Sequence, residues 1–425
     1  MHVEKSPGAT APAQGKSDLL RPAAGAAFAI SVLTAMNLLN YVDRWVPSAV
    51  KELIKSDLHL TDAQTSYPLT AFVIVYMIAS PIFGSLEGRW SRRYIIAAGV
   101  AFWSLCTGAA ALAHGFWTFL IARALVGVGE AAYATLSPAL ISDFYPPARR
   151  NRALTIFYVA IPVGAAIGFT VGGKLGESHG WRTAFLAVGL PGILAALSIL
   201  FVKEPVRGGF DPPAPAAAAT WPEALRALSK NRAYVLTVAG YTAVTFASGA
   251  MADWFSTYLI RYRAFSTAEA ASIVGNTAVL GGLGGTVLGG AAADWLRGKI
   301  RQPYLGMSAL SMAPATALAV AALFVHGRTA IFASLLGAQL CLWCYNGPIN
   351  TVLVNCVPAD LRTRAFSLSI LLIHLLGDAL SPSAVGIVSD AAGLRSALWM
   401  VPISLVLCTG IWGWAWRTLP EESLA

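Results

Sequence analysis

Charge is what this sequence has least of. Asp, Glu, Lys and Arg make up 12% of its 425 residues and hydrophobic residues 56%, against about 25% and about 45–50% in soluble domains. With a mean hydropathy of +0.62, the chain has too little polar surface for a soluble globule and reads as a membrane protein. Cysteine is sparse too. Cys106, Cys341, Cys344, Cys356 and Cys408 all fall in apolar stretches, without histidine at metal-ligand spacing. The CxxC at 341–344 therefore reads as buried small side chains, and no metal site is expected. No GxxxxGK[ST] loop occurs, which argues against nucleotide-driven work. Nor does any Ser/His/Asp set suggest an enzyme. The GxG within "RALVGVGEAAYA" follows no strand, so no dinucleotide cofactor is expected. Its glycines, like Gly281, Gly285 and Gly289 at spacings of four, suit close helix packing.

What the chain has is long apolar runs. Twelve can cross about 30 Å of hydrocarbon, at roughly 24–48, 64–86, 94–113, 116–142, 153–175, 182–202, 232–260, 268–293, 303–325, 329–356, 365–389 and 394–416. Residues 1–23, rich in Ala, Pro and Gly, read as a disordered tail, and 418–425 as a second short tail. Residues 203–231 form the longest polar connection, a linker in which "WPEALRALSK" reads as a short amphipathic surface helix. The chain thus divides into six-span halves at 24–202 and 232–417.

Alternate loops on the side of the termini carry 20 of the 30 Lys and Arg, and the opposite loops carry 8. By the positive-inside rule both termini face the cytoplasm. The net charge of +9 follows from this bias and from contact with anionic lipid, so no nucleic-acid partner is needed.

The halves echo each other. "PARRNRA" at 147–153 recurs as "PADLRTRA" at 358–365, and "GSLEGRWSRR" at 84–93 has a shorter echo in "GGAAADWLRGK" at 289–299. A glycine turn followed by a carboxylate and clustered arginines between the second and third spans, found twice, resembles the signature loop of the major facilitator superfamily. Here Glu87 stands where that loop usually carries Asp, and Ser91 where Gly is common. The resemblance implies an all-α membrane fold of twelve helices in two pseudo-symmetric halves, with alternating access to a central cavity. The stretches "NYVDRW", "GEAAYATLSPALISDFY", "RALTIFYVAIPVGAAIGF" and "VKEP" are similar to the Spinster family of lysolipid and sphingolipid transporters. That implies a lipid-like substrate, with Asp43, Arg44, Arg123 and Glu130 in proton coupling.

These four residues also stand out on cost alone. A charge at the centre of a span costs at least about 2.5–3.5 kcal/mol, so each needs a partner or a role. Arg123 and Glu130, seven apart, share a helix face, and Asn37, Asn40, Tyr41 and Arg44 make one stripe. If the stripes face each other, Asp43 can pair with Arg123 while Arg44 reaches Glu130. The cluster then either titrates during transport or is a fixed structural network.

In the second half, Asp253 beside Trp254 can cap the interface or contact substrate. His374 and Asp378, four apart, can pair structurally or serve the cavity. Tyr133 and Tyr158 join these as candidate substrate contacts. Glu87, Arg89, Arg92, Arg93, Asp143, Arg149 and Arg152, with Asp294 and Arg297 in the second copy, are the candidate cytoplasmic gate. Aromatic and aliphatic walls suit an acyl chain better than a sugar. The expected function is proton-coupled transport of lysophospholipid or sphingolipid-like molecules across an inner membrane, the alternative being export of drugs or other amphipathic anions. The protein is expected to act as a monomer, with lipid and protons as its small partners.

Overall fold

The computed structural model describes residues 21–86, 90–210, 221–358 and 361–420, without the side chains at 148 and 363. The expected tails, apart from 21–23 and 418–420, lie outside these, as do Glu87 and Arg89. The described residues form helices and no strand. In chain order they are α1 (Ala26–Ala49), α2 (Lys51–Leu58), α3 (Asp62–Leu86), α4 (Arg92–Ala110), α5 (Phe116–Phe144), α6 (Pro147–His179) and α7 (Trp181–Ser198). After the linker come α8 (Trp221–Lys230), α9 (Arg232–Arg263), α10 (Thr267–Leu296), α11 (Pro303–Phe324), α12 (Arg328–Trp343) and α13 (Asn346–Asn355). The last are α14 (Arg362–Ile373), α15 (Leu380–Ala392), α16 (Leu394–Ala397) and α17 (Met400–Thr418). Together they supply 12 helices long and apolar enough to cross a membrane.

Three departures from the simple reading matter. The connection after the first span is not a loop but a further helix, α2, which extends the line of α1 past a break at Val50. The tenth span breaks between α12 and α13 just before Pro348, whose ring nitrogen has no hydrogen to donate. The eleventh widens at His374–Asp378, where the Ala379 amide reaches back five residues to the His374 carbonyl at 2.9 Å. Such wide turns occur often at functional sites.

The expected surface helix is present as α8, with Ala224 and Leu228 buried beneath it. Within each set of six spans the packing is tightest where glycine removes a side chain. A Cβ on Gly127 would strike the Phe72 carbonyl in α3, and one on Gly129 would strike the Gly99 carbonyl in α4. The GxG of α5 thus admits two backbones at once. Gly281, Gly285 and Gly289 do the same for α10 against α12 and the turn after it.

The two sets meet mainly through α3 against α15 and α6 against α10. Gly386 lies on the Asp62–Ala63 backbone, and Gly173 and Gly275 on Ala271 and Phe169. Thr70 hydroxyl contacts the Ala379 carbonyl and Ser383 hydroxyl, both at 2.6 Å. These contacts cluster toward the end opposite the termini, called the far end below.

Replacing Gly129 by valine should lower the thermal unfolding midpoint, at a cost of roughly 1–3 kcal/mol, because the neighbour it meets is backbone that cannot rotate away. Thermal scanning of the detergent-solubilised variant against the parent checks this.

Candidate functional site

The charges of the first span are resolved by two pairs, side by side between α1 and α5. Arg123 Nη1 donates to Asp43 Oδ1 at 3.0 Å, and Thr107 hydroxyl from α4 donates to Asp43 Oδ2 at 2.6 Å. Arg44 holds Glu130 Oε2 through Nη2 at 2.6 Å and Nε at 3.2 Å. Three of the four side chains are sealed, whereas that of Arg44 stays 20% exposed. Its guanidinium sits among the rings of Tyr41, Phe72 and Tyr76, at 4.7, 4.9 and 5.6 Å from their centroids. Such contacts favour a cation that has lost its water. Glu130 Oε1 is buried with no hydrogen-bond partner among the described residues. The site therefore has one carboxylate oxygen in reserve and one guanidinium within reach of a ligand.

The stripe of α1 continues outward through Ser48 to Lys51, and there it crosses to the second set of spans. Asp253 of α9 accepts from Ser48 hydroxyl at 2.7 Å and Ser66 hydroxyl at 3.0 Å, and forms an ion pair with Lys51. Burial drives the Lys51 ammonium below its ordinary value, against the pull of Asp253. Lys51 also lies 3.9 Å from the ring centroid of Trp254, whose indole donates to the Pro382 carbonyl at 2.9 Å. A second tier lies outside it: Arg261 binds Glu52 and Asp62, each at 2.7 Å, while the Asp62 and Ala63 amides donate to Asp390 at 2.8 and 3.0 Å. Among the described residues, every ion pair between the two sets lies in these two tiers. Asp253 and Trp254, candidate substrate contacts by sequence, are buried parts of this far-end lock. A small cavity of about 20 Å³, one water in size, lies between the tiers and the charged core, touching Arg44, Arg123, Lys51 and Asp253.

Comparison with known proteins decides the kinship. The major facilitator superfamily model matches residues 33–382. Human protein spinster homolog 1 is 34% identical over 392 residues, covering 86% of this chain and 73% of its own. The chain belongs to the Spinster-type major facilitator transporters. Drosophila melanogaster protein spinster is also 34% identical, but this chain spans only 62% of its length. A Xenopus tropicalis sphingosine-1-phosphate transporter is 30% identical over 408 residues, covering 89% of this chain and 78% of its own. In fold, the chain superposes on the crystal structure of a bacterial homologue of the human lysosomal transporter Spinster, in an inward-facing and unoccupied conformation. The TM-score is 0.82 at 24% identity, covering 93% of this chain and 98% of that one. The chain is thus a multi-pass membrane transporter and not an enzyme.

Other expected site residues of this Spinster-type chain divide by exposure. Asn37 donates to the Phe157 carbonyl at 2.9 Å, and Tyr133, fully buried, donates to the Leu33 carbonyl at 2.6 Å. Both tie helices together and line no open surface. Asn40 is buried as well, with its amide nitrogen unpartnered among the described residues. Tyr158 is exposed beside Phe157. His374 Nδ1 lies 2.9 Å from Asp378 Oδ2, and both side chains remain partly open. The wide turn that holds them is pressed onto α9, where a Cβ on Gly377 would strike the Thr245 hydroxyl.

At the terminal end the gate candidates make no ion pair between the two sets among the described residues. Arg92 is buried against Asp143 at 2.5 Å and Glu204 at 2.9 Å, all within the first set. Arg93 reaches the Val202 carbonyl and Tyr94 hydroxyl, while Arg149 and Arg152 are exposed. Asp294 and Arg297 are exposed and 3.8 Å apart, joined through Tyr304. Sequence reasoning did not single out Glu204, the acid of "VKEP". It accepts from Ser91 hydroxyl at 2.5 Å, which gives the serine of the signature loop a task. Lys51, Glu52, Asp62, Arg261 and Asp390 were also missed, since charges near loops register only as topology signals.

Two expectations follow. Asp253→Asn or Lys51→Met alone should destabilise by about 3–5 kcal/mol, by stranding one buried charge, whereas the double variant should recover most of that loss. Chemical or thermal unfolding of the three variants tests it. At Glu204, burial raises the carboxyl but the hydrogen bonds from Ser91 and Arg92 outweigh it and hold it below the usual range. Its stabilising contribution is complete above the ordinary glutamate value and is lost as pH falls through the depressed folded value. The acid limb of the stability profile should therefore flatten in Glu204→Gln.

Proposed function

We propose that this protein carries lysophospholipids or related sphingolipid-like amphipaths across an inner membrane, coupled to protons, by rocking its two six-helix halves about the central site. Both termini would be cytoplasmic, so that the far end is the periplasmic side and the conformation described here, held shut there by two tiers of ion pairs, is inward-facing.

The observation that carries this reading is the Arg44–Glu130 pair, one partner sealed and the other reachable. The core balances Arg44 and Arg123 against Asp43 and Glu130. An anionic headgroup that binds Arg44 adds a negative charge in a low-dielectric site and competes with Glu130 for the same donors. Uptake of one proton by Glu130 or Asp43 removes that excess. Substrate on the arginine and proton on the acid are then linked by electrostatics alone. The ring cage around Arg44 would suit a headgroup whose tail leaves along apolar walls, and the kinship with a sphingosine-1-phosphate transporter points the same way.

Outward opening must part Lys51 from Asp253 and Arg261 from Glu52 and Asp62. Such a step needs compensating contacts elsewhere; Arg93, Arg149, Arg152, Asp294 and Arg297 at the terminal end would form them as that end closes, with Arg92 and Asp143 bracing that end of the first set. Glu87 and Arg89 belong to the same signature loop. His374, Asp378 and Tyr158 would then contact the substrate from the open side.

The test is flux of a labelled lysophospholipid through purified protein in liposomes, with and without an imposed pH gradient. Gradient-dependent flux above empty liposomes is expected, and Glu130→Gln should lose the response to pH while the protein stays folded. Flux through that variant with unchanged pH dependence would remove Glu130 from the coupling. Absence of flux in the parent would instead turn the search to other amphipathic anions.

A further inference from the structure

A further repeat ties the two sets of spans together. The stretch "GKLGESHGWRTA" at 173–184 runs through the end of α6, and "GIVSDAAGLRSA" at 386–397 through the end of α15. Each places a glycine one turn before an acid, Glu177 or Asp390, and a second glycine three residues after it. That second glycine, Gly180 or Gly393, ends its helix in the left-handed region, at φ 84° or 82°. A shorter echo, "LTDAQ" at 60–64 and "FSTAE" at 265–269, starts α3 and α10.

Both helix starts are capped from within. The Gln64 amide donates to Thr61 hydroxyl at 3.2 Å, and the Thr61 amide to the Gln64 side chain at 3.0 Å. Ser266 and Glu269 repeat the exchange, each bond at 3.3 Å. Such a box answers the amide of the third helical residue and leaves the first two without an acceptor. The opposite set supplies it. Asp390 accepts from the Asp62 and Ala63 amides at 2.8 and 3.0 Å, and Glu177 accepts from the Ala268 amide at 2.6 Å. The glycine one turn earlier permits the approach. A Cβ on Gly386 would lie 2.8 Å from the Ala63 Cα, and one on Gly173 would lie 3.3 Å from the Ala268 Cα. The same residue types in the same register thus make the same contact twice, once at the seam of α15 with α3 and once at the seam of α6 with α10.

We infer that Asp390 and Glu177 are a matched pair of latches that hold the far end shut, each acting through the first turn of a helix in the opposite set. They are positioning residues for transport and touch no substrate. Unlike Lys51 and Asp253, both are exposed. When the halves part, acid and bared amides therefore pass into water, and no charge is stranded. Each latch favours the closed end by a factor of about two to five, the usual worth of an acid at a helix N-terminus. Because one sits at each seam, the far end opens as a whole only when both release. The inference rests on the rocking of the halves proposed above, and not on the substrate or the proton.

Electron spin–spin distance measurements on the full-length protein in liposomes test it. Labels on Ser56→Cys with Thr329→Cys read the far end, and labels on Asn151→Cys with Ala227→Cys read the terminal end; all four positions are exposed. Cys341, the cysteine that is not buried, is replaced by serine. Glu177→Ala with Asp390→Ala should raise the ratio of far-end-open to far-end-closed distances about tenfold, and either change alone about two- to fivefold. The terminal-end distances should contract in the same fraction of molecules, which mere fraying of a helix end would not produce. The pair of substitutions is also made together with Lys51→Met and Asp253→Asn, which loosen the far end without leaving a lone buried charge, so that the shift is read from two starting populations. If the far end responds to Lys51→Met with Asp253→Asn but not to loss of the two acids, or responds to that loss without contraction of the terminal end, the latches are overturned and the rocking stands. If neither end responds to any of these variants, the rocking falls and the latches with it.

Discussion

An ion cannot sit in hydrocarbon unanswered, and most of what is particular to this transporter follows from how it answers that demand. Asp43 and Arg44 are neighbours in sequence, so their side chains leave α1 in different directions and cannot satisfy each other. Each instead takes a partner from α5, two turns apart, and the pairs Arg123–Asp43 and Arg44–Glu130 weld the first and fourth spans around the charged core. The glycines at 127 and 129 seat α5 against α3 and α4, and α5 so fixed holds Arg123 and Glu130 toward α1.

The same demand governs the closed end. Lys51 and Asp253 come from different six-helix sets and are both sealed from water. While they touch, the two sets are locked at the far end. When they part, both charges need new partners or solvent. A buried pair of this kind contributes little net stability against apolar packing, yet it makes the half-open arrangement costly and so favours two discrete states. The water-sized cavity between this pair and the charged core brings Arg44 and Arg123 to the edge of the lock. Events at the core are thereby within electrostatic reach of the closure.

Packing on the outside of the molecule obeys a different rule. There the backbone is satisfied within helices, and leucine and valine meet lipid at no cost. Polar contacts such as Tyr234 hydroxyl to the Ala365 carbonyl and Thr245 hydroxyl to the Ile373 carbonyl fasten neighbouring helices to one another.

Much of this could be seen in the residues before any contact was known. Apolar length fixes twelve crossings, and helical period puts Arg123 with Glu130 and Asn37, Asn40, Tyr41 and Arg44 on shared faces. The quoted motifs identify the Spinster-type kinship. These properties are local or nearly so: they depend on spacing along one helix and on the price of a charge in lipid. What only the tertiary structure decided is which helices meet. Lys51, Asp62 and Arg261 lie near span ends, where a charge is cheap and conveys nothing beyond topology, and only the juxtaposition of α2, α3 and α9 turns them into a lock. Asp253 read equally as an interfacial cap or a substrate contact until Ser48, Lys51 and Ser66 were found around it. Tyr133 looked like a cavity aromatic until its hydroxyl was found on Leu33. Glu204 gained meaning only beside Ser91 and Arg92. Helical periodicity specifies a face but not the helix across from it, because the apolar surfaces that bring helices together are nearly interchangeable along the chain.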